Sequence, residues 1–130
     1  MTNTEKVKKK ILVLDDEKHV VTYLVTLLRK NGYEAIPTFN VEEALETARR
    51  EKPDLVITDL LMPKKTGTDF ARKLSRDKEL KHTPIIVVSA IAGRELAVRK
   101  AKAVFDKPID SDKFLAAVEE ALSQASEETS

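Results

Sequence analysis

Five polar residues lie at the ends of apolar runs of strand length, and their types suit phosphoryl-transfer chemistry. They are Asp15, Asp16, Asp59, Ser89 and Lys107. Three carboxylates that converge repel one another, and each raises the pKa of the others unless a cation lies among them. Mg²⁺ meets this need because it binds one or two carboxylates together with waters and phosphoryl oxygens. A lysine ammonium suits a phosphate oxygen, and a carboxylate can attack phosphorus.

These residue types therefore predict metal-assisted phosphoryl transfer onto Asp59, with Asp16 and Asp15 holding the metal. Each residue also has a structural interpretation. Asp15 and Asp16 are typical caps of a following helix, and Asp59 is typical of a turn. Ser89 and Lys107, taken singly, are typical of structural or solvated positions. The occurrence of all of them at strand ends is what favours a site.

Alternating strands and helices would bring these strand ends together, and the hydrophobic pattern predicts such an alternation. Runs that are apolar at odd and even positions indicate strands covered on both faces, whereas apolar residues three or four apart indicate helices. The predicted strands are 11–14, 33–39, 54–59, 84–89 and 103–106. The predicted helices are 18–30, 41–51, one with Phe70, Ala71 and Leu74 inward, a short basic one at 93–102, and a last one with Phe114, Leu115, Val118 and Leu122.

This order predicts an α/β fold of the flavodoxin-like, doubly wound type. Its five-stranded parallel sheet has the strand order 2-1-3-4-5, with helices on both faces. Pro37 supports the order, which puts strand two at an edge where a missing N–H is tolerated. Asn31–Gly32 predicts a left-handed helix stop, and Asn40 with Glu43 predicts a capping box. The ends of strands one, three, four and five are then neighbours.

Composition bounds the class of protein. The 130 residues suit one domain with a single core, and we expect a mobile polar lead-in at 1–9, the domain at 10–123 and a polar tail at 124–130. A formal net charge of +1 gives no reason to expect a nucleic-acid or membrane partner. The absence of cysteine excludes disulfides and thiolate chemistry. Neither a signal segment nor an apolar run of roughly 18 residues is present, so we expect a cytoplasmic protein.

The motifs together resemble a receiver (response-regulator) domain of two-component signalling, of the stand-alone single-domain type. The resemblance covers nearly the whole chain, from Lys10 to Leu122. The residues that carry it are Leu14-Asp15-Asp16-Glu17, Asp59-Leu60-Leu61-Met62-Pro63 with Gly67 downstream, Ser89-Ala90 and Lys107-Pro108.

The resemblance implies a role for each candidate site residue. Asp59 would be the phospho-acceptor. Mg²⁺ would be bound by Asp16, Asp59 and the Leu61 carbonyl, with Asp15 acting through water. Ser89 and Lys107 would contact the phosphoryl group. The donor would be a histidine kinase or a histidine phosphotransfer protein that docks near helix 18–30.

The chain departs from the family pattern between Ser89 and Lys107, where the spacing is shorter than usual. We therefore expect a short or reshaped fourth helix. The family's switch aromatic is replaced by Val104, and Phe105 on the opposite face of the strand is expected in the core. The usual coupling between the hydroxyl and the aromatic side chain is therefore expected to differ.

Two apolar residues near the acceptor predict a long-lived phospho-aspartate. Leu61 and Ile91 flank the acceptor in the family pattern, and apolar side chains there would exclude the attacking water. The rate of phosphoryl loss from the wild type and from Leu61→Asn tests this expectation. An equal rate would refute it.

The sequence thus predicts a phosphorylation-switched signalling domain that acts on an unknown downstream protein. It would not be an enzyme on external substrates, although it would catalyse transfer to itself. Three alternatives stay open: a phosphorelay intermediate, a pseudo-receiver that signals by contact without phosphate, and an Mg²⁺-dependent phosphatase. The phosphatase is weakest, because Leu61 stands where such enzymes usually have a second acid. The basic run Arg94, Arg99, Lys100 and Lys102 is either a solvated helix face or a docking surface for an acidic partner.

Overall fold

The computed structural model describes residues 8–58, 67–89, 101–106 and 110–129. The described strands are β1 (Lys10–Leu14), β2 (Glu34–Thr38), β3 (Leu55–Thr58), β4 (Ile85–Ser89) and β5 (Ala101–Asp106). The described helices are α1 (Lys18–Lys30), α2 (Val41–Glu51), α3 (Gly67–Arg76) and α4 (Ser111–Thr129). Strands and helices therefore alternate as predicted wherever the chain is described. Residues 93–100 of the predicted short helix at 93–102 lie outside the described residues.

The strands form one five-stranded sheet in the order β2-β1-β3-β4-β5. Each adjacent pair is parallel. The predicted flavodoxin-like order is confirmed, and so is the edge position of β2, which contains Pro37. A proline is tolerated there because its missing N–H removes no bond from a central ladder.

The strands β1, β3 and β4 are buried on both faces because their alternate side chains pack into two separate cores. One core contains Leu12, Leu14, Val56 and Val87 together with residues of α2 and α3. The other contains Ile11, Val13, Ile57 and Val88 together with residues of α1 and α4. This arrangement explains why the strands are apolar at odd and even positions alike.

The predicted helix ends of α1 and α2 are confirmed in detail. At the start of α2, the backbone N–H of Glu43 donates to Asn40 Oδ1 at 2.8 Å, and Glu43 Oε1 accepts from the N–H of Phe39 at 2.9 Å. At the end of α1, Gly32 has a φ of 90°, which a residue without a Cβ adopts at little cost. The capping residues therefore set both boundaries as the sequence indicates.

The predicted boundary between helix 93–102 and the fifth strand is wrong, and the last helix is longer than its predicted core residues indicate. Helix α4 continues to Thr129, through the residues expected to form a polar tail, because no glycine or proline after Leu122 interrupts it. Strand β5 begins at Ala101, so the last two residues of the predicted helix 93–102 are strand. The pairing of β5 with β4 is irregular there, with Ile85 opposite Ala101 and Ile86 opposite Ala103. Lys102 is therefore an extra residue in β5 that has no partner position in β4, as in a β-bulge.

Candidate functional site at the carboxyl edge of the sheet

The carboxyl ends of four strands meet along one edge of the sheet. Leu14, the last residue of β1, is in register with Thr58, the last residue of β3. Thr58 is in turn in register with Val87, near the end of β4. Ser89 and Asp106, which end β4 and β5, are in register with each other. Open α/β sheets bind ligands at such an edge, at the point where the strand order reverses.

Asp15 is the buried carboxylate of this edge. It follows β1 directly and is only 2 % exposed. Its backbone N–H donates to the carbonyl of Thr38 at 3.3 Å, and its Oδ1 accepts the N–H of Glu17 at 2.9 Å. These bonds hold the Asp15 carboxylate at the end of β1, in the turn that leads to α1.

Asp16 is exposed, although it is the neighbour of Asp15 in the chain. The residue that caps α1 is Glu17, and its side chain makes no capping hydrogen bond. The bond that Asp15 accepts comes from Glu17 itself, before the first turn of the helix begins. The interpretation of Asp15 and Asp16 as helix caps is therefore not supported, and both residues directly follow β1, at the carboxyl ends of the strands.

The other predicted site residues lie at or beyond the limits of the described chain. Ser89 is the last residue of β4, and its backbone is at the predicted edge. Asp59 follows Thr58 in the chain, but Asp59, Leu61 and Lys107 lie outside the described residues. Ile91 and the basic residues Arg94, Arg99 and Lys100 also lie outside the described residues. The expectations about Val104 and Phe105 concern side chains that are also outside the description, although both residues are in β5.

A metal site at this edge would rest on Asp15 and Asp16 among the described residues. No group of three or more His, Cys, Asp or Glu side chains that could hold a metal occurs in the described ranges. The two carboxylates nevertheless fit Mg²⁺, which takes few protein ligands, all of them oxygens, and keeps several waters.

Thr38 is a residue of this edge that the sequence analysis missed. Its side chain is buried, and its hydroxyl donates to the carbonyl of Val13 at 2.9 Å. Its own carbonyl accepts from Asp15. Thr38 therefore links the end of β2 to the end of β1 by hydrogen bonds and helps to position Asp15. A buried threonine at a strand end looks like any β-branched strand residue, so the pattern carried no signal for this role.

The described chain is a flavodoxin-like α/β domain with two carboxylates directly after β1, and known proteins share this fold. A polar-differentiation response regulator, DivK, from Brucella anthropi is 33 % identical over 121 residues, which cover 90 % of this chain and 98 % of that protein. A sensor protein from Polaromonas has a solved structure with a TM-score of 0.85 at 26 % identity, covering 92 % of this chain and 99 % of the other. The solved structure of a response regulator receiver domain protein from Clostridium thermocellum has a TM-score of 0.80 at 28 % identity. The match covers 89 % of this chain and 95 % of the other.

The model of the response regulator receiver domain matches residues 11–119, so the chain belongs to that family. It is a signalling switch of two-component systems rather than an enzyme of the ordinary kind. In the described part of the chain, no helix is long and apolar enough to cross a membrane.

Proposed function

We propose that this domain takes a phosphoryl group onto Asp59 in the presence of Mg²⁺ and thereby changes its binding to a partner protein. One observation carries the proposal most directly. The ends of β1 and β3 are paired at Leu14 and Thr58, and the buried Asp15 directly follows Leu14 in the chain. Asp59 is the next residue after Thr58 in the chain.

Each site residue has a proposed role. Asp16, Asp59 and the Leu61 carbonyl would hold Mg²⁺, and Asp15 would act on it through water. Bound there, Mg²⁺ would offset the repulsion among carboxylates and the charge of the phosphoryl oxygens. An Asp59 carboxylate oxygen would attack phosphorus as the bond from phosphorus to the donor histidine nitrogen breaks. Ser89 would donate a hydrogen bond to the phosphoryl group, and Lys107 would pair with its charge.

The proposed donor is a histidine kinase or a histidine phosphotransfer protein, and the proposed target is a downstream protein. The domain at 10–123 would be the switching unit, and self-phosphorylation and self-dephosphorylation would be its only chemistry. The added charge would redistribute two conformations of the segment between Ser89 and Lys107. We also propose a cytoplasmic location, where the donors and their ATP are found.

We further propose that the phospho-aspartate is long-lived, because Leu61 and Ile91 would exclude the attacking water. Leu61→Asn should then lose its phosphoryl group faster than the wild type after the donor is removed. The measurement is the phosphorylated fraction in intact mass spectra over time. Equal decay in both proteins would end this part of the proposal.

The experiment that tests the proposed function is intact mass after incubation with acetyl phosphate. Wild type and Asp59→Ala are compared, each with and without Mg²⁺. We expect one phosphoryl group added, only in the wild type and only with Mg²⁺. An unmodified wild type would instead favour a module that signals by contact alone. Transfer of the group onward to a histidine phosphotransfer protein would identify a relay intermediate rather than a terminal switch.

Magnesium binding provides a separate measurement that needs no phosphoryl donor. Asp16→Asn should weaken Mg²⁺ binding by about tenfold or more, because even the loss of a group that only orients a metal ligand commonly has an effect of this size. Titration calorimetry on wild type, Asp16→Asn and Glu46→Gln measures the effect. Glu46 is exposed on α2, so its variant is a matched loss of one carboxylate away from the edge. Equal affinity in all three proteins would remove Asp16 from the metal site.

A further inference from the structure

The turn that ends α1 contains the dipeptide Asn31–Gly32, which has the chemistry of a spontaneous modification site. In such a dipeptide the glycine amide nitrogen attacks the side-chain carbonyl carbon of asparagine and expels ammonia, which leaves a succinimide ring. Water then opens the ring to aspartate or to isoaspartate. Glycine favours the reaction because it has no side chain to obstruct the attack. At Gly32, a Cβ would meet nothing within 4 Å, so this side of the turn is open.

The folded turn keeps both reacting groups engaged. Asn31 is exposed, but its Nδ2, which would leave as ammonia, donates to the carbonyl of Leu27 at 2.8 Å. The attacking nitrogen of Gly32 donates to the carbonyl of Arg29 at 3.2 Å. Asn31 has a φ of −103° and a ψ of 17°. Ring closure requires a large rotation about that ψ, which would break the hydrogen bonds that end the helix.

We propose that Asn31–Gly32 is a deamidation site that reacts only when the last turn of α1 opens. Helix ends open locally at much lower cost than the whole domain, so the site is reachable from the folded state. The last turn is held by the carbonyl of Leu28, which accepts from Asn31 at 3.0 Å and from Tyr33 at 3.2 Å. The reaction rate would therefore measure how often this turn opens.

The product would not allow the same turn to re-form. A carboxylate at position 31 cannot donate to Leu27, and it places a negative charge at the end of α1 where the helix dipole is already negative. Isoaspartate also lengthens the backbone at the turn. Arg29 lies in this turn, and its guanidinium donates to the carbonyl of Ala35 on β2 at 2.9 Å. Deamidation would thus be an irreversible change that weakens the contact between α1 and the edge strand β2.

The test follows conversion at Asn31 in the full chain at mildly alkaline pH by peptide mass mapping and isoaspartyl methyltransferase labelling. We expect slow conversion in the folded wild type and fast conversion of the same chain in urea. Asn40, which is followed by Val41, is the internal control that stays an amide. A folded wild type that does not convert at all while the unfolded chain does would overturn the proposal.

Two core variants distinguish local opening from global unfolding. Leu28 and Leu74 are both buried, but Leu28 lies on α1 and Leu74 on α3 across the sheet. Leu28→Ala should convert about tenfold faster than the wild type, equivalent to about 1.4 kcal/mol of opening free energy. Leu74→Ala should convert at the wild-type rate. Equal acceleration in both would refute gating by the turn. If Leu28→Ala does not fold, Leu27→Ala, at a half-buried site, replaces it.

Discussion

Asp15 and Asp16 are adjacent in the chain, yet their side chains occupy different environments. Asp15 is 2 % exposed and accepts a backbone hydrogen bond, whereas Asp16 is exposed. At the proposed Mg²⁺ site, the exposed Asp16 carboxylate would bind the ion, and the buried Asp15 carboxylate would act on it through water. A carboxylate that acts through water does not bind the ion itself, but it orients the groups that do.

The proposed role of Asp15 in Mg²⁺ binding can be separated experimentally from its role in the fold. Asp15→Asn keeps an oxygen that can accept the N–H of Glu17, so the turn before α1 should be preserved. We expect the free energy of unfolding to stay within about 1 kcal/mol of the wild type, while Mg²⁺ binding weakens less than in Asp16→Asn. Urea unfolding and calorimetry measure the two effects. A loss of several kcal/mol in stability without any change in affinity would make Asp15 a structural residue.

Lys52 is held in a conformation that lysine disfavours. It ends α2 with a φ of 50°, in the left-handed region, where a helix end usually has glycine. We expect Lys52→Gly to stabilise the domain by about 0.5–1 kcal/mol, because the relief of left-handed strain exceeds the added flexibility of the unfolded chain. Arg50→Gly, within the same helix, should instead destabilise by about 1 kcal/mol. Urea unfolding of both variants checks the signs, and a destabilised Lys52→Gly would contradict the expectation.

Among the secondary-structure elements, β2 is an edge strand, and two residues, Arg29 and Pro37, hinder the pairing of another strand with its outer side. The N–H of Glu34 donates to Lys9 and the carbonyl of Thr38 accepts from Asp15, so alternate residues of β2 face β1. The backbone polar groups of Ala35 and Pro37 therefore point away from β1, toward the open side of the sheet. The carbonyl of Ala35 is covered by Arg29, and Pro37 has no N–H to offer. Both features oppose the addition of another strand at this edge.

Opening that edge should promote self-association. In the double variant Arg29→Ala with Pro37→Ala, the outward N–H and carbonyl groups become available for pairing. We expect larger species to appear with increasing concentration in light scattering coupled to size exclusion, while the wild type shows none through this edge. Lys30→Ala with Glu34→Ala is a matched control, since both side chains are exposed and neither closes the edge. An unchanged elution of the first variant would show that the edge is protected by other means.

At the scale of the whole molecule, ion pairs join α2 to its neighbours at the end of the sheet opposite the acidic edge. Glu51 pairs with Lys10 of β1 at 3.0 Å, and Arg49 pairs with Asp77, which follows α3, at 3.4 Å. Glu51 also pairs with Arg50 within α2 at 3.3 Å. The Lys10 hydrogen bond lowers the pKa of Glu51 from 4.5. A backbone hydrogen bond from Glu79 lowers the pKa of Asp77 from 3.8, and Arg49 assists.

These lowered pKa values predict how stability depends on pH. A carboxyl group whose pKa is lower in the folded state stabilises it above the unfolded pKa, and the contribution is lost as pH falls through the folded pKa. Glu51→Gln should therefore be less stable than the wild type at neutral pH, and the difference should shrink as pH falls below 4.5. Urea unfolding at several pH values measures this, with Glu46→Gln as the control. A difference that is constant with pH would contradict the assignment.

Much of this architecture could be predicted because its signals are local. Pro37 indicated an edge strand, Asn40 with Glu43 indicated a helix start, and Gly32 indicated a helix stop. The errors occurred where the deciding interaction is distant or absent. The start of β5 depends on pairing with β4, and the end of α4 has no residue that stops a helix.

The candidate site was predicted in the same way, from residues at strand ends. The pairing of Leu14 with Thr58 confirms that the ends of β1 and β3 are neighbours. The different burial of Asp15 and Asp16, and the part played by Thr38, could not be read from the sequence. Both depend on bonds between the ends of β1 and β2, which are separated in the chain by α1.

We propose that Asp59 receives the phosphoryl group, and this proposal can be tested directly by mapping the modified residue. After incubation with acetyl phosphate and Mg²⁺, borohydride reduces an aspartyl phosphate to homoserine, which peptide mass spectrometry locates in the chain. We predict homoserine at position 59 and aspartate at every other aspartyl position, Asp15 and Asp16 included. Homoserine at a different aspartate, with Asp59 unchanged, would refute Asp59 as the phospho-acceptor.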